Sequence, residues 1–245
     1  MGTRTLTIVG FGLCCLLVSA DEPKQKVQVS HTDRIDLPSG GTLRLNHSIG
    51  VLTIGQWDQP GVEITIVKTT AGEFAPAERD KAMRELDKVR VATARQGNEV
   101  VISTDFPRAR MIPPYPREQS SVVDLEYHIK TAANTKLIVD HRAGEVNVDT
   151  QTGDIDISVV DGQINLRLPD KDINVISAKT DVGAVNSDFR GPEKPRWLHL
   201  GHEIITSNPP ATRNLRLRVG YGDIVILKTR RPQEPSPAAS AAKSD

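Results

Sequence analysis

Four aspartates in a glycine-rich part of this 245-residue chain are the residues best suited to chemistry: Asp149, Asp154, Asp156 and Asp161. Carboxylates between glycines are typical of calcium-binding nonapeptide repeats, in which paired glycines supply backbone carbonyls to a shell of roughly six to eight oxygens. Here each unit has one glycine instead of two. The sequence therefore predicts exposed carboxylates in turns and strands, and neither a metal ion nor another cofactor is expected.

Two of these aspartates, Asp154 and Asp156, are also candidates for catalysis. Paired carboxylates can act as acid and base in sugar chemistry, so one hypothesis is a sugar-active β-helix enzyme, either a lyase or a hydrolase. Other catalytic patterns are missing from the sequence. His199 and His202 are the only close pair among six histidines, and no Ser, His and Asp have a spacing that indicates a nucleophile. We predict a non-catalytic protein, with the sugar-active enzyme as the alternative.

The aspartates lie in a stretch, residues 144–169, that repeats one short phrase three times. Glycine opens each unit, at positions 144, 153 and 162, and the units read GEVNV, GDIDI and GQINL. Apolar and polar residues alternate with the period of two that is typical of β-strands. We expect an inward-pointing apolar row of Val146, Val148, Ile155, Ile157, Ile164 and Leu166. The opposite face carries Asn147, Asp156 and Asn165, which are the candidate binding residues.

Units of this size cannot bury an apolar row alone, so they must stack on one another. The phrase recurs at Gly50, Gly183 and Gly222, which extends the same architecture over most of the chain. We expect an all-β fold, a β-solenoid-like stack of short strands that begin with glycine, with one short helix inserted. An ordinary antiparallel sandwich with evenly spaced strands is the alternative.

Changes in periodicity and composition predict the domain boundaries. The β-solenoid-like domain covers residues 27–228. Within it, residues 75–90 change to the spacing of an amphipathic helix, and residues 106–121 form a Pro-rich loop. Residues 229–245 are rich in Arg, Pro, Ser and Ala without periodicity, which predicts a disordered tail.

The first twenty residues have the pattern of a secretory signal peptide. The apolar run Leu6–Val18 precedes small residues, and cleavage is expected near Ala20. The run is shorter than the roughly 20 residues of a spanning helix, so no transmembrane segment is expected in the mature chain. Both cysteines, Cys14 and Cys15, lie inside the run, which leaves no thiol after cleavage. We predict an extracytoplasmic protein, periplasmic or at the cell surface or secreted; a membrane anchor or a lipoprotein is the alternative.

Composition narrows the class of partner. Lys and Arg together number 31, as do Asp and Glu, so the formal net charge is zero. Nucleic-acid binding normally requires a basic surface that displaces counterions from phosphates, and a nucleic-acid partner is therefore not expected. Aromatic residues make up only 4% of the chain, so Val, Ile and Leu must fill the core.

A family resemblance is carried by two stretches, GGTLRLNHSIGVLTIGQWDQPGVEITI and GEVNVDTQTGDIDISVVDGQINLRLP. With the signal-like start and the short helix between them, they resemble the bacterial β-strand-repeat family known as putative adhesins, a domain of unknown function. The resemblance covers most of residues 35–227. It implies an exported, right-handed β-solenoid-like domain with no established activity and no catalytic residues to transfer to this chain.

The predicted function is that of an exported, non-catalytic interaction or scaffold module. Evenly spaced hydrogen-bonding groups on one strand face suit weak, multivalent contact with a polymer or a protein. The expected partner is a component of the bacterial cell envelope, contacted through Asn147, Asp156 and Asn165.

Overall fold

The computed structural model describes residues 23–106, 123–189, 191, 193–195 and 201–229. The predicted signal peptide, the predicted loop from residue 107 onward, His199 and the predicted tail from residue 230 onward lie outside the described residues. Within the described ranges, no helix is long and apolar enough to cross a membrane.

The regular structure of the described chain consists of strands apart from one 3-10 turn and one short helix, which confirms the all-β prediction. The strands are β1 Gln28–Ile35, β2 Thr42–Gln56, β3 Val62–Thr70, β4 Arg90–Gln96, β5 Glu99–Asp105, β6 Val123–Thr131, β7 Lys136–Asp149, β8 Ile155–Leu168, β9 Ile173–Val182, β10 Val185–Ser187, β11 Glu193–Pro195, β12 His202–Ser207, β13 Arg213–Tyr221 and β14 Ile224–Lys228. A 3-10 turn, Pro76–Glu78, leads into the helix α1, Arg79–Leu86. The helix is shorter than the predicted 75–90, because Val89 is already packed in the core and β4 begins one residue later.

The strands form one open sheet of fourteen strands with the order β1-β3-β6-β2-β7-β8-β13-β9-β12-β11; β5 and β4 extend it beside β2, and β14 and β10 beside β8. The central strands β2, β7, β8, β13 and β9 all pair in parallel. The alternative of an antiparallel sandwich is therefore wrong. Spatial order also departs from chain order, since β2 lies between β6 and β7, and β13 lies between β8 and β9.

The structural repeat is twice as long as the repeated phrase. Leu137 pairs with Ile155 and Val146 pairs with Ile164, a shift of 18 residues in both cases (155 − 137 and 164 − 146). The unit that opens at Gly153 therefore pairs with residues 137–139. It does not pair with the units that open at Gly144 and Gly162, although these flank it in the sequence. Each repeat contributes two strand segments.

The two segments of β2, β7 and β8 meet at a corner. We call the segment before the corner the first limb (residues 42–46, 136–141 and 155–159) and the segment after it the second limb (residues 51–56, 145–149 and 163–168). The corner is occupied by glycine at positions 50, 144 and 162, with φ of 90°, 119° and 142°. Gly222 and Gly183 continue the column. A Cβ at Gly162 would lie 1.8 Å from the Gly144 carbonyl oxygen, so these corners stack too closely for any other residue.

Both limbs contribute buried side chains to one core, and the predicted inward row is confirmed. Each of its six side chains is at most 2% exposed. Tyr127 is also fully buried, and its hydroxyl lies 2.7 Å from Thr104 Oγ1. The helix α1 covers the β3 end of this core with two buried side chains, Ala82 and Leu86.

Candidate binding site

Two of the three predicted binding residues meet on the outer face of the second limb. Asn147 on β7 and Asn165 on β8 are direct cross-strand partners. The Asn165 amide nitrogen donates to Asn147 Oδ1 at 3.0 Å and to Glu145 Oε1 at 2.7 Å. Gln163 Nε2 donates in turn to Asn165 Oδ1 at 2.8 Å. This network fixes the orientation of both amides, since the two strands are held in register by the corner glycines.

A shallow groove of about 390 Å³ runs beside this network. Its lining combines polar and aliphatic side chains. The polar members are Thr53, Asn147, Asp149, Asn165 and Arg167, and the aliphatic members are Val148, Leu166, Val225 and Leu227. Gly55 follows Thr53 on the same face, and a Cβ built there would meet no atom within 4 Å. Within the described residues, Asn147 Nδ2 donates no hydrogen bond of its own, so a donor remains available at the groove.

The third predicted residue, Asp156, lies elsewhere. It is on the first limb of β8, where Arg216 Nη1 of β13 approaches its Oδ2 at 3.4 Å. Residues nine positions apart in the chain lie on different limbs, so Asn147 and Asp156 do not share a face although they occupy the same position in the repeated phrase. The structure thus brings Asn147 and Asn165 together and separates Asp156 from them.

The two candidate catalytic carboxylates have partners on one neighbouring strand. Asp154 Oδ1 accepts the backbone N–H of Asn214 at 2.8 Å, and Asp156 pairs with Arg216. Both contacts hold β8 to β13 across the outer face of the first limb. In the part of the chain that the structure describes, no group of three or more His, Cys, Asp or Glu side chains is arranged to hold a metal ion.

Three buried titratable groups were missed by the sequence reasoning. Burial lowers the pKa of His141 to about 4, although the carbonyls of Gly50 and Ala143 oppose this change. The His141 ring is wholly buried, with Nδ1 2.8 Å from Ser48 Oγ. Its position could have been found, because residues 137, 139 and 141 continue the inward period of two.

The other two groups lie on β6 and at the start of β13. Burial raises the pKa of Tyr127 to about 12 despite its bond to Thr104. Burial also lowers the pKa of Arg213 to about 10, against the opposing charge of Asp154. Arg213 Nε donates to the Gly153 carbonyl at 2.8 Å and so ties β13 to the turn before β8. None of the three groups lines the groove, so their altered pKa values belong to the packing of the core.

Comparisons with known proteins give structural likeness only. No family model matches the chain, and no curated protein matches it in sequence. A putative cell adhesion protein from Clostridium sporogenes is similar with 13% identity and a TM-score of 0.45, over 83% of this chain and all of that one. A putative adhesin from Bacteroides fragilis has 10% identity and a TM-score of 0.30, over 81% and 97% of the two chains. Another from Parabacteroides distasonis has 10% identity and a TM-score of 0.27, over 84% and 71%. Structures described as adhesins are thus among those that this chain resembles, as the sequence resemblance predicts.

Proposed function

We propose that this protein is a non-catalytic, adhesin-like interaction module that contacts a bacterial cell-envelope polymer or protein through the groove beside Asn147 and Asn165. The observation that carries the proposal is the amide network on the second limb. Amides held in a fixed orientation lose little freedom on binding, and they match the hydroxyl and amide groups of polymers. Asp156 is not part of this proposed site.

We also propose that the fold is a β-solenoid-like stack. The parallel register of 18 residues and the column of corner glycines support this. In such a stack each outward position recurs on the neighbouring strand, so a binding group at one position is repeated along the surface. Regular repetition favours a partner that is itself repetitive.

Action outside the cytoplasm is part of the same proposal. The signal-like pattern of the first twenty residues supports it, as does the family that the sequence resembles. A partner in the cell envelope would be accessible to a protein in that location. The alternative, a sugar-active enzyme, would need carboxylates free to act on a substrate, and Asp154 and Asp156 are each engaged by a residue of β13.

The test is retention of the purified protein on insoluble cell-envelope polysaccharide, measured together with the release of reducing ends. Replacing Asn147 and Asn165 by Ala should lower affinity about fivefold or more, because two hydrogen bonds are each worth about 0.5–1.5 kcal/mol. Asp156→Ala is the matched control, since it changes an outward polar residue of β8 on the other limb. Gly55→Trp should also block retention by filling the groove.

Two results would contradict the proposal. Equal losses from Asp156→Ala and from the double asparagine variant would mean that the groove is not the contact surface. Release of reducing ends that disappears in Asp154→Asn or Asp156→Asn would replace the binding module with the sugar-active enzyme. Melting curves of each variant show whether the fold is retained.

A further inference from the structure

The two groove asparagines belong to a longer row of side chains that crosses the outer face of the second limb. Successive cross-strand partners continue the row in both directions from Asn147 and Asn165. We call it the polar row, and its members in spatial order are Thr32, Thr65, His128, Thr53, Asn147, Asn165, Val225 and Asn186. None of the eight is buried. Seven steps of about 4.8 Å between strands give the row a length of about 34 Å.

The polar row is rich in uncharged hydrogen-bonding groups. Six of its eight members carry a hydroxyl or an amide, and His128 carries an imidazole. Neighbours within the row also hold each other in place: Thr32 Oγ1 lies 2.9 Å from Thr65 Oγ1, and Asn165 donates to Asn147. Donors and acceptors therefore recur along one line at the spacing of the strands.

On one side of the polar row, side chains of opposite charge lie beside each other, and three of them form ion pairs. Arg34 Nη2 lies 2.6 Å from Glu63 Oε2, and Lys130 Nζ lies 3.0 Å from Glu63 Oε1. Asp149 and Arg167 are cross-strand neighbours on the same side of the row. Because neighbouring opposite charges largely cancel, the electrostatic potential on this side of the row is too weak to attract a charged polymer from solution. The surface thus matches an uncharged partner better than a polyanion.

We propose that the polar row is one extended site for a linear, uncharged polysaccharide that lies across the strands, along the direction in which they stack. This inference rests on the proposed function and specifies its ligand. Hydroxyl and acetamido groups of the glycan exchange hydrogen bonds with successive members of the row. Each contact is weak, so affinity comes from occupying many positions at once.

Length dependence tests the inference. Isothermal titration with linear oligomers of N-acetylglucosamine, from the disaccharide upward, should give affinities that rise with length and level off once the oligomer spans the row. Oligogalacturonate of matched length supplies the anionic comparison and should bind at least severalfold more weakly.

Variants at the distal end of the row locate the effect. Replacing Thr32 and Thr65 together by Val removes both hydroxyls of one mutual contact and keeps the side-chain shape, so the fold should tolerate it. The double variant should weaken the longest oligomers severalfold and leave the disaccharide unchanged. Thr69 lies on the same strand and face as Thr65 but outside the row, so Thr69→Val should change neither the affinity for the longest oligomers nor the affinity for the disaccharide.

Each outcome has a separate meaning. Affinity that depends on Asn147 and Asn165 but not on oligomer length, Thr32 or Thr65 would overturn the extended site and leave the groove intact. Tighter binding of oligogalacturonate would overturn the uncharged ligand class. If the wild-type protein is retained on envelope polysaccharide but binds no N-acetylglucosamine oligomer, the inference is overturned. If the wild-type protein is not retained on envelope polysaccharide at all, the proposed function itself is contradicted.

Discussion

Replacing Gly162 by Ala is the most direct test of the stacked corners. Gly162 has φ of +142°, and a Cβ built there would lie 1.8 Å from the Gly144 carbonyl oxygen and 2.9 Å from the Gly144 nitrogen. Contacts under 3.0 Å are essentially never seen for real Cβ atoms. The two backbones must therefore separate by more than about 1 Å. That movement is enough to break N–H···O bonds of the parallel ladder on either side of the corner.

The expected loss of stability combines two effects. Placing a side chain at positive φ costs about 1–2 kcal/mol, and each buried backbone group that loses its partner costs about 1–3 kcal/mol. With two such groups, the free energy of unfolding should fall by about 3–8 kcal/mol. Gly40→Ala isolates the first effect, because φ there is +76° and no atom lies within 4 Å of the added Cβ.

Urea denaturation and thermal melting measure the difference. Gly40→Ala should lower the melting temperature by several degrees, at about 2–4 °C per kcal/mol for a domain of this size. Gly162→Ala should lower it by about 6 °C or more, or prevent folding. If the two variants lost the same stability, the close stacking of the corner glycines would be refuted.

Two further predictions concern the core. Ile155→Asp places an unpaired charge in the inward row and should lower the free energy of unfolding by several kcal/mol, which is comparable with the whole stability of about 5–15 kcal/mol. A melting temperature within a degree or two of the wild type would show that Ile155 does not face the core. Burial lowers the pKa of His141 to about 4, so the stabilisation from the neutral imidazole is fully present above the unfolded pKa of about 6.5 and is lost as the pH falls towards 4. At about 1.4 kcal/mol per pH unit, the free energy of unfolding should decrease by about 3 kcal/mol over this range. The variant His141→Val should fold, since Val159 and Val219 fill the neighbouring inward positions, and its free energy of unfolding should depend less steeply on pH across this range. An unchanged slope in denaturation measurements would contradict the burial of a neutral imidazole.

Strand alternation was enough to predict the core from the sequence. Val146 and Ile155 were assigned inward from a period of two alone, and the structure buries both. The pattern works because each side chain in a strand must face either the core or the solvent. The same reasoning, carried to residue 141, would have revealed the buried histidine.

The pairing of the segments could not be predicted, because the glycines of the phrase look alike in sequence. Gly144 and Gly162 sit at corners with positive φ, whereas Gly153 lies in the opposite turn against the Thr135 carbonyl. Only the register shows that nine residues are half of a repeat. For this reason Asp156 was grouped with the two asparagines, although Asn147 and Asn165 were correctly placed on one face.

The position of β13 between β8 and β9 has a consequence for the order of folding. Strands β8 and β9 follow each other in the chain, but the position between them in the sheet is filled by β13, which is synthesised after both. Until Arg213–Lys228 has been synthesised, both strands present unpaired edges, which are prone to pairing with other chains. Closing this gap requires contacts between residues about 60 apart in sequence, such as Ile155 and Leu215, and contacts of such long range form slowly. A nascent chain should therefore resist protease only after β13 and β14 emerge from the ribosome, and truncation before β13 should produce aggregation rather than a shorter stable sheet.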